Sequence, residues 1–490
     1  MTAPSLLLRN VRLVGAGSGA PTDLLITAGR VGLATDAVDP GEVIDLEGRF
    51  VLRGLWDRHV HFDQWALARR RIDLTPTTSA AAVIELVAEQ AGSDPVITGY
   101  GFRDAAWADR PTRAALDRAV PDRPVVLASN DLHCAWLNSA AFRRFGVTPS
   151  EDGLIREDAA FAVLQAISDL VADRSDGYAD EAARAAAARG LVGIVELEFQ
   201  ANHEVWRRRV AAGTRSLRVE CGLYPPHLAE AIRLGLRTGE PLPDGAGLLT
   251  GGPLKIMIDG SLNTRTAACW DRYPEPGDAD HDHGILQYDL GSLTTMIAEA
   301  GAAGLECAVH AIGDRANTVA LDAFAAAGRP GRIEHAQLIK DDDLARFGAL
   351  GVVASVQPDH VITDRDVADR HWPGRTGRAY PYASLLAAGA TLRLGSDAPV
   401  SPLDPWRTIA AAVHRTGDGR EPWHPEQRLT VAAALDASTG GRATVRPGDP
   451  ADLVITDLDP LTATRDQLRT MPVHATMLAG HWTHPPSCQN

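Results

Sequence analysis

Short apolar runs alternate with alanine-rich helical stretches along most of this chain, and no other feature constrains the fold as strongly. Strands separated by helices predict βα units around a parallel sheet. The runs fall at 192–196, 217–221, 254–258, 305–310, 332–335, 352–356 and 392–397. An eighth, at 50–56, leads into Asp57-Arg58-His59-Val60-His61. Eight is the strand count of a (β/α)8 barrel. The predicted class is therefore α/β, a TIM-like barrel. Residues from about 75 to 180 are left over. We read them as an insertion after the first strand, although their runs at 96–99 and 125–128 leave open that one is a true barrel strand.

Both ends of the chain have a different texture. Strand-like pieces at 6–8, 11–14, 23–26, 30–33 and 43–46, with a turn around Gly29, are matched by pieces at 451–455 and 475–482. The joint reading is one small β-sandwich domain built by residues 1–52 and 441–490, around a barrel over 53–440.

Active sites of such barrels lie at the C-terminal ends of the strands, so the polar residues there are the ones to collect. Side chains at i and i+2 of a strand point the same way. His59 and His61 would project together, and Arg58 would point to the other side. Two neutral imidazoles can grip one divalent ion. An isolated HxH is about as often a pair of unrelated surface histidines. The run at 254–258, the fourth in chain order once 50–56 is counted, carries Lys255, and later runs end at His310, His335 and Asp397. Each is flanked by apolar residues and so expected to be buried, where charge is costly unless paired or metal-bound. A single such histidine is more often a hydrogen-bonded core residue. Four histidines and an aspartate on successive strand ends are poorly explained by chance.

Composition narrows the function classes. With 490 residues the chain can bury a large core. Lys and Arg number 48 against 63 Asp and Glu, a net charge of −15, which argues against nucleic acid or an anionic membrane as partner. The five cysteines are scattered, none in a CxxC pair, as expected of free thiols in a reducing, cytoplasmic setting. No signal peptide and no apolar span long enough for a bilayer is evident. The expected partner is a small-molecule substrate, with a homo-oligomer left open.

Several motifs together carry a resemblance. They are residues 54–61 (GLWDRHVH), Asn138-Ser139 after His133, 255–262 (KIMIDGSL), 310–316 (HAIGDRA), 332–337 (RIEHAQ), 355–358 (SVQP) and 395–399 (GSDAP). The chain resembles the amidohydrolase superfamily, and within it the amidohydrolase 3 family that includes N-substituted formamide deformylase. The resemblance covers nearly the whole chain. It implies a hydrolase with one or two divalent ions, zinc suiting the nitrogen-rich donors best. His59 and His61 would hold the more buried ion and His310 and His335 the second. Lys255 would be carbamylated and bridge them. Asp397 would ligate the buried ion and relay protons. Two departures, Arg53 for the usual Pro and Arg58 for the usual Ser, remove no ligand.

Further candidates are open at this level. His133 is an expected helper in oxyanion stabilisation, or else a structural loop histidine. Arg315 and Gln357 could contact substrate, although Arg315 could equally pair with Asp314 or Asp259. Phe62, Trp65, Trp136 and Trp372 line a pocket or, more safely, sit in the core. His281 and His283 form a second HxH, read as a solvated acidic loop. The expected reaction is hydrolysis of a C–N bond in an amide or N-formyl substrate. The alternatives are a cyclic amide, carbamate or ester substrate, and a non-catalytic binding or regulatory relative.

Overall fold

Gly54 divides the first apolar run into two strands that belong to different sheets. In the computed structural model, Phe50–Arg53 pairs antiparallel with Leu453–Thr456 near the C-terminus, whereas Leu55–Val60 pairs parallel with Leu191–Glu196. A Cβ at position 54 would lie 2.3 Å from the Val192 side chain, so the crossing admits only glycine. The structure describes residues 5–17, 19–33, 40–90, 95–104, 107–130, 132, 134–156, 158–274, 282–417 and 419–486.

The barrel strands are Leu55–Val60, Leu191–Glu196, Arg218–Leu223, Leu249–Met257, Cys307–Ala311, Arg332–His335, Val353–Val356 and Leu392–Leu394. They pair in that order as one eight-stranded parallel sheet, with helices between most of them, so the (β/α)8 expectation holds. The seam between first and last strands is crossed by Asp397 N–H, which donates to the His59 carbonyl (2.8 Å). The Asp57 carboxylate ties the same seam, accepting from the Ser396 and His59 backbone N–H groups at 3.0 Å each. A Cβ on Gly395 would come within 2.7 Å of the His59 nitrogen, which is why the last strand leaves through glycine here.

A second sheet gathers the terminal strands in the order His481–His484, Val473–Leu478, Leu453–Thr456, Phe50–Arg53, Leu6–Leu13, Thr22–Thr27, Arg30–Leu33, with Glu42–Asp45 also on Leu6–Leu13. Its core includes Leu8, Val11, Val51, Leu453, Ile455 and Met477. Two details differ from the sequence reading. The pieces at 6–8 and 11–14 are largely one strand with an irregularity between Leu8 and Val11. The run 475–482 is a hairpin, because Ala479 and Gly480 both take positive φ and turn the chain.

Residues Phe62–Ala182, with Ala398–Val400, form a separate compact unit. Neither 96–99 nor 125–128 supplies a barrel strand. Ile97–Phe102 and Val125–Ser129 instead join a five-stranded sheet with Leu154–Arg156, Cys134–Leu137 and Ile72–Asp73. Both its faces are covered. Leu127 and Trp136 pack on one side, Val126, Ala135 and Leu137 on the other, as strand alternation requires.

The Asn138-Ser139 motif has a structural job in this unit. Asn138 Oδ1 accepts from Val125 N–H and Ala141 N–H (2.9 Å each), and its Nδ2 donates to the Val120 and Arg123 carbonyls (2.9 and 2.8 Å). It thus caps helix Ser139–Phe145 and satisfies three other backbone groups while fully buried. Replacing it with alanine should cost about 3 kcal/mol or more, since several buried groups lose their partners together. Urea titration of Asn138→Ala against wild type checks this; a change below about 1 kcal/mol would refute it.

Candidate metal and catalytic site

The C-terminal ends of the barrel strands bring the predicted polar residues to one place. Donor atoms of His59, His335 and Asp397, all buried, lie within 4.8 Å of one another. The other expected ligands flank this group. Asp397 Oδ1 is 3.3 Å from His59 Nε2 and 3.7 Å from His61 Nε2. Lys255 Nζ is 3.2 Å from His59 Nε2. The His310 ring lies 4.5 Å from that of His335, which lies 4.9 Å from that of His59.

Backbone geometry at two of these positions is unusual. His335 (φ 73°) and Asp397 (φ 59°) are both left-handed, as is Ala336 (φ 45°). Non-glycine residues held there signal a conformation imposed by the surroundings, often at functional sites. Here it turns each chain sharply out of the barrel while the side chain stays over the strand ends.

Groups that the sequence alone did not single out hold these candidate ligands in place. His59 Nδ1–H donates to Glu334 Oε2 at 2.7 Å, which fixes the tautomer and leaves the Nε2 lone pair facing Lys255 and Asp397. Glu334 lies fully buried one residue before His335. Its signal was available as a carboxylate directly preceding the strand-end histidine His335. His310 Nε2 donates to the Gly260 carbonyl (3.2 Å) and lies 3.4 Å from Asp259. Asp259 accepts from Ala268, Ile312 and Gly313 N–H, joining the loops after the fourth and fifth strands. His360, buried after the seventh strand, has Nε2 3.8 Å from Asp397 Oδ2.

Electrostatics favour neutral donors. Burial, with Lys255 and His61 next, holds His59 well below the ordinary imidazole range. Burial and Lys255 bring His61 down to about 3. Burial, His310 and His59 depress His335. Burial lowers Lys255 to about 8 and raises Asp397 to about 6. His335 Nδ1 is buried without a hydrogen-bond partner among the described residues, and the Leu197 backbone lies beside the His61 ring. Neutral imidazoles with open lone pairs beside a carboxylate are the donor set that a divalent transition metal takes, so the residues fit such an ion.

The remaining candidates separate. Arg58 points away from the site, as expected, pairing with Glu220 (2.9 Å) and covering Trp56. Arg315 pairs with neither proposed aspartate and lies over Trp270; Asp314 instead accepts from Trp270 N–H and approaches Arg378. Gln357 Nε2 donates to the Ser355 carbonyl and sits 3.3 Å from His59 Nδ1, behind the site. Phe62, Trp65, Trp136 and Trp372 are all buried. His133 and His281 lie outside the described residues; His283 Nδ1 is 3.3 Å from the Cys269 carbonyl. One exposed aromatic does stand at the site. Phe199, 61% accessible, stacks on His61 (5.5 Å) and on Tyr224 (4.5 Å).

A family model described as the amidohydrolase family matches residues 42–484. The chain is 29% identical to the protein LONG AFTER FAR-RED 3 of Arabidopsis thaliana, over 92% of this chain and 84% of that one. It is 26% identical to the N-substituted formamide deformylase of Arthrobacter pascens, over 96% of each. Among solved structures, an uncharacterized metal-dependent hydrolase from Pyrococcus horikoshii OT3 superposes with a TM-score of 0.77 at 27% identity, covering 94% of this chain and 99% of that one.

Proposed function

Because this chain belongs to the amidohydrolase family, we propose that it hydrolyses the C–N bond of an amide or N-formyl compound at a divalent metal centre held by His59, His61, Lys255, His310, His335 and Asp397. The observation that carries the reading is the buried convergence of His59, His335 and Asp397 donor atoms within 4.8 Å at the barrel's C-terminal end. A bound cation, zinc in our reading, would polarise the scissile carbonyl and lower the pKa of water towards neutrality.

The chain's own groups supply the rest. Asp397, its pKa raised by burial, accepts a proton from the attacking water and returns it to the leaving nitrogen. Glu334 holds His59 in the tautomer that presents Nε2. Lys255, lowered to about 8, has enough neutral amine to add carbon dioxide with loss of a proton, which converts a cation into an anionic donor. The free thiols Cys134, Cys221, Cys269 and Cys307 favour a reducing, cytoplasmic setting. Among the described residues no helix is long and apolar enough to cross a membrane.

Phe199 gives the substrate a shape. An exposed aromatic ring against His61 favours an apolar nitrogen substituent, in keeping with an N-substituted formamide. Phe199→Ala should raise KM for N-aryl formamides about 3- to 10-fold, the worth of one aromatic contact, and leave N-methylformamide nearly unchanged. Equal effects on both substrates would remove Phe199 from recognition.

The centre itself is tested by elemental analysis and a substrate panel. We expect one to two divalent ions per chain. Activity on N-formyl or N-acyl amines should vanish on chelation and return with zinc, manganese or cobalt. Metal-free protein that gains nothing from added metal would refute the catalytic reading. Turnover confined to lactams, carbamates or esters would favour a cyclic or ester substrate, and bound metal with no turnover a non-catalytic relative.

A further inference from the structure

We propose that His360 is a catalytic residue that donates a hydrogen bond from Nε2 to the substrate carbonyl oxygen as negative charge develops there. The inference rests on the hydrolase reading above and adds a group to it. His360 belongs to the short helix Asp359–Thr363 that follows the seventh barrel strand, and it is only 5% accessible.

Its tautomer is set by Gln337. The Gln337 Nε2 atom lies 3.3 Å from His360 Nδ1. With its amide nitrogen on this side, Gln337 donates to Nδ1 and the ring proton sits on Nε2; at His59 the Glu334 carboxylate, at 2.7 Å, takes the Nδ1 proton ahead of the Gln357 amide at 3.3 Å. A protonated ring would bring two N–H groups face to face. The Gln337 backbone is firmly held: the residue is buried, follows the left-handed pair His335–Ala336, and its main-chain carbonyl accepts from Tyr380 N–H at 2.6 Å.

The Nε2 atom is buried and has no hydrogen-bond partner among the described residues. Asp397 Oδ2, at 3.8 Å, is beyond hydrogen-bond length. A buried donor without a partner is unfavourable. Its place explains it. Asp397 turns Oδ1 towards His59 and His61 and Oδ2 towards His360. The His360 ring lies parallel to that of His335, 6.2 Å away at 11°. The donor therefore flanks the proton-transferring carboxylate on the side away from the HxH pair. A fixed, desolvated N–H aimed at the position of developing charge is what stabilises an oxyanion. With its proton on Nε2, the ring has no lone pair there for a metal.

The chemistry balances without a net change in His360. Water loses a proton to Asp397 and its oxygen bonds to the carbonyl carbon. The C=O π pair moves onto the carbonyl oxygen, where His360 holds it. That pair then re-forms C=O, the C–N bond breaks, and the nitrogen takes its electrons together with the proton from Asp397.

Three variants and two further measurements test this. His360→Phe should lower kcat by about 100-fold or more, with KM within a few-fold, normal circular dichroism and unchanged metal content. His360→Gln, whose amide reaches the same region, should recover part of that loss. Gln337→Met should lower kcat several-fold through the lost tautomer lock. In protein labelled with nitrogen-15 histidine, the signals missing from His360→Gln should show Nε2 protonated and Nδ1 bare. Independently of turnover, calorimetry should show the tetrahedral anion methylphosphonate binding metal-loaded His360→Phe at least tenfold more weakly than wild type. Protonated Nδ1, a kcat within threefold of wild type in His360→Phe, equal methylphosphonate affinity, or loss of metal in that variant would each overturn the proposal. Wild-type protein that binds metal but hydrolyses no amide would refute the hydrolase reading instead, and the tautomer and the anion affinity would still decide the role of His360.

Discussion

Lys255→Ala is expected to lose bound metal and activity together. The lysine is 1% accessible, in the middle of an apolar strand, and its Nζ sits 3.2 Å from the Nε2 lone pair of His59. The rival explanation, a lysine reaching for Glu196 or Glu220, meets an obstacle. Glu196 accepts from Glu198 N–H and from Trp206 Nε1–H, and Glu220 is taken by Arg58. An ammonium at this position would repel a cation strongly, so a metal-loaded protein requires the amine to be deprotonated, modified or displaced. Carbamylation supplies two oxygens where the cation stood. Removing a direct donor should weaken metal binding at least about 100-fold, the upper end of what outer-shell changes cost. A short carboxylic acid occupying the vacated space should restore part of both metal and rate. Elemental analysis and kinetics of Lys255→Ala, with and without added propionate, make the comparison. Full metal and full rate in the variant would end the bridge idea and favour a single-ion site.

The barrel and the convergence of its strand-end residues were legible because both follow from period and position. Eight apolar runs separated by helices fix the sheet, and i, i+2 spacing fixes which way His59 and Arg58 point. What the sequence hid depends on long-range contact. Strand-like sequence continues on both sides of Arg53-Gly54, so nothing local reveals that Phe50–Arg53 and Leu55–Val60 enter different sheets; their partners, Leu453–Thr456 and Leu191–Glu196, lie far along the chain. The same holds for Asp57. It stands inside the most conspicuous motif, yet its partner is Ser396 at the other end of the barrel. Asn138 looks like part of a site motif and proves to be a helix cap. His360 and Gln337 were invisible as a pair, because they come from different strand ends and meet only when the barrel closes.

Asp397→Asn should separate chemistry from metal binding. The substitution suits the position twice over. Asparagine keeps the shape of the side chain, and it tolerates the left-handed backbone that residue 397 adopts at φ 59° better than alanine would. The backbone bond from residue 397 to His59 that crosses the barrel seam is unaffected. The fold should therefore survive, and His59, His61 and His335 should retain at least part of the metal. What disappears is the base. Without a carboxylate to take the proton of water and hand it to the leaving nitrogen, kcat should fall by roughly 100-fold or more, in line with general acid–base contributions. The pH profile adds a signature. The base works only when ionised, so the wild-type rate should decline as pH falls through the range where Asp397 gains its proton, about 6 for the site without a cation and lower with one beside it. The variant should lose that acidic limb while its residual rate stays flat. Steady-state kinetics, circular dichroism and metal analysis on one preparation suffice. Near-normal turnover would remove Asp397 from the proton path and direct attention to His133 or to Glu334, the nearest buried carboxylate in contact with His59.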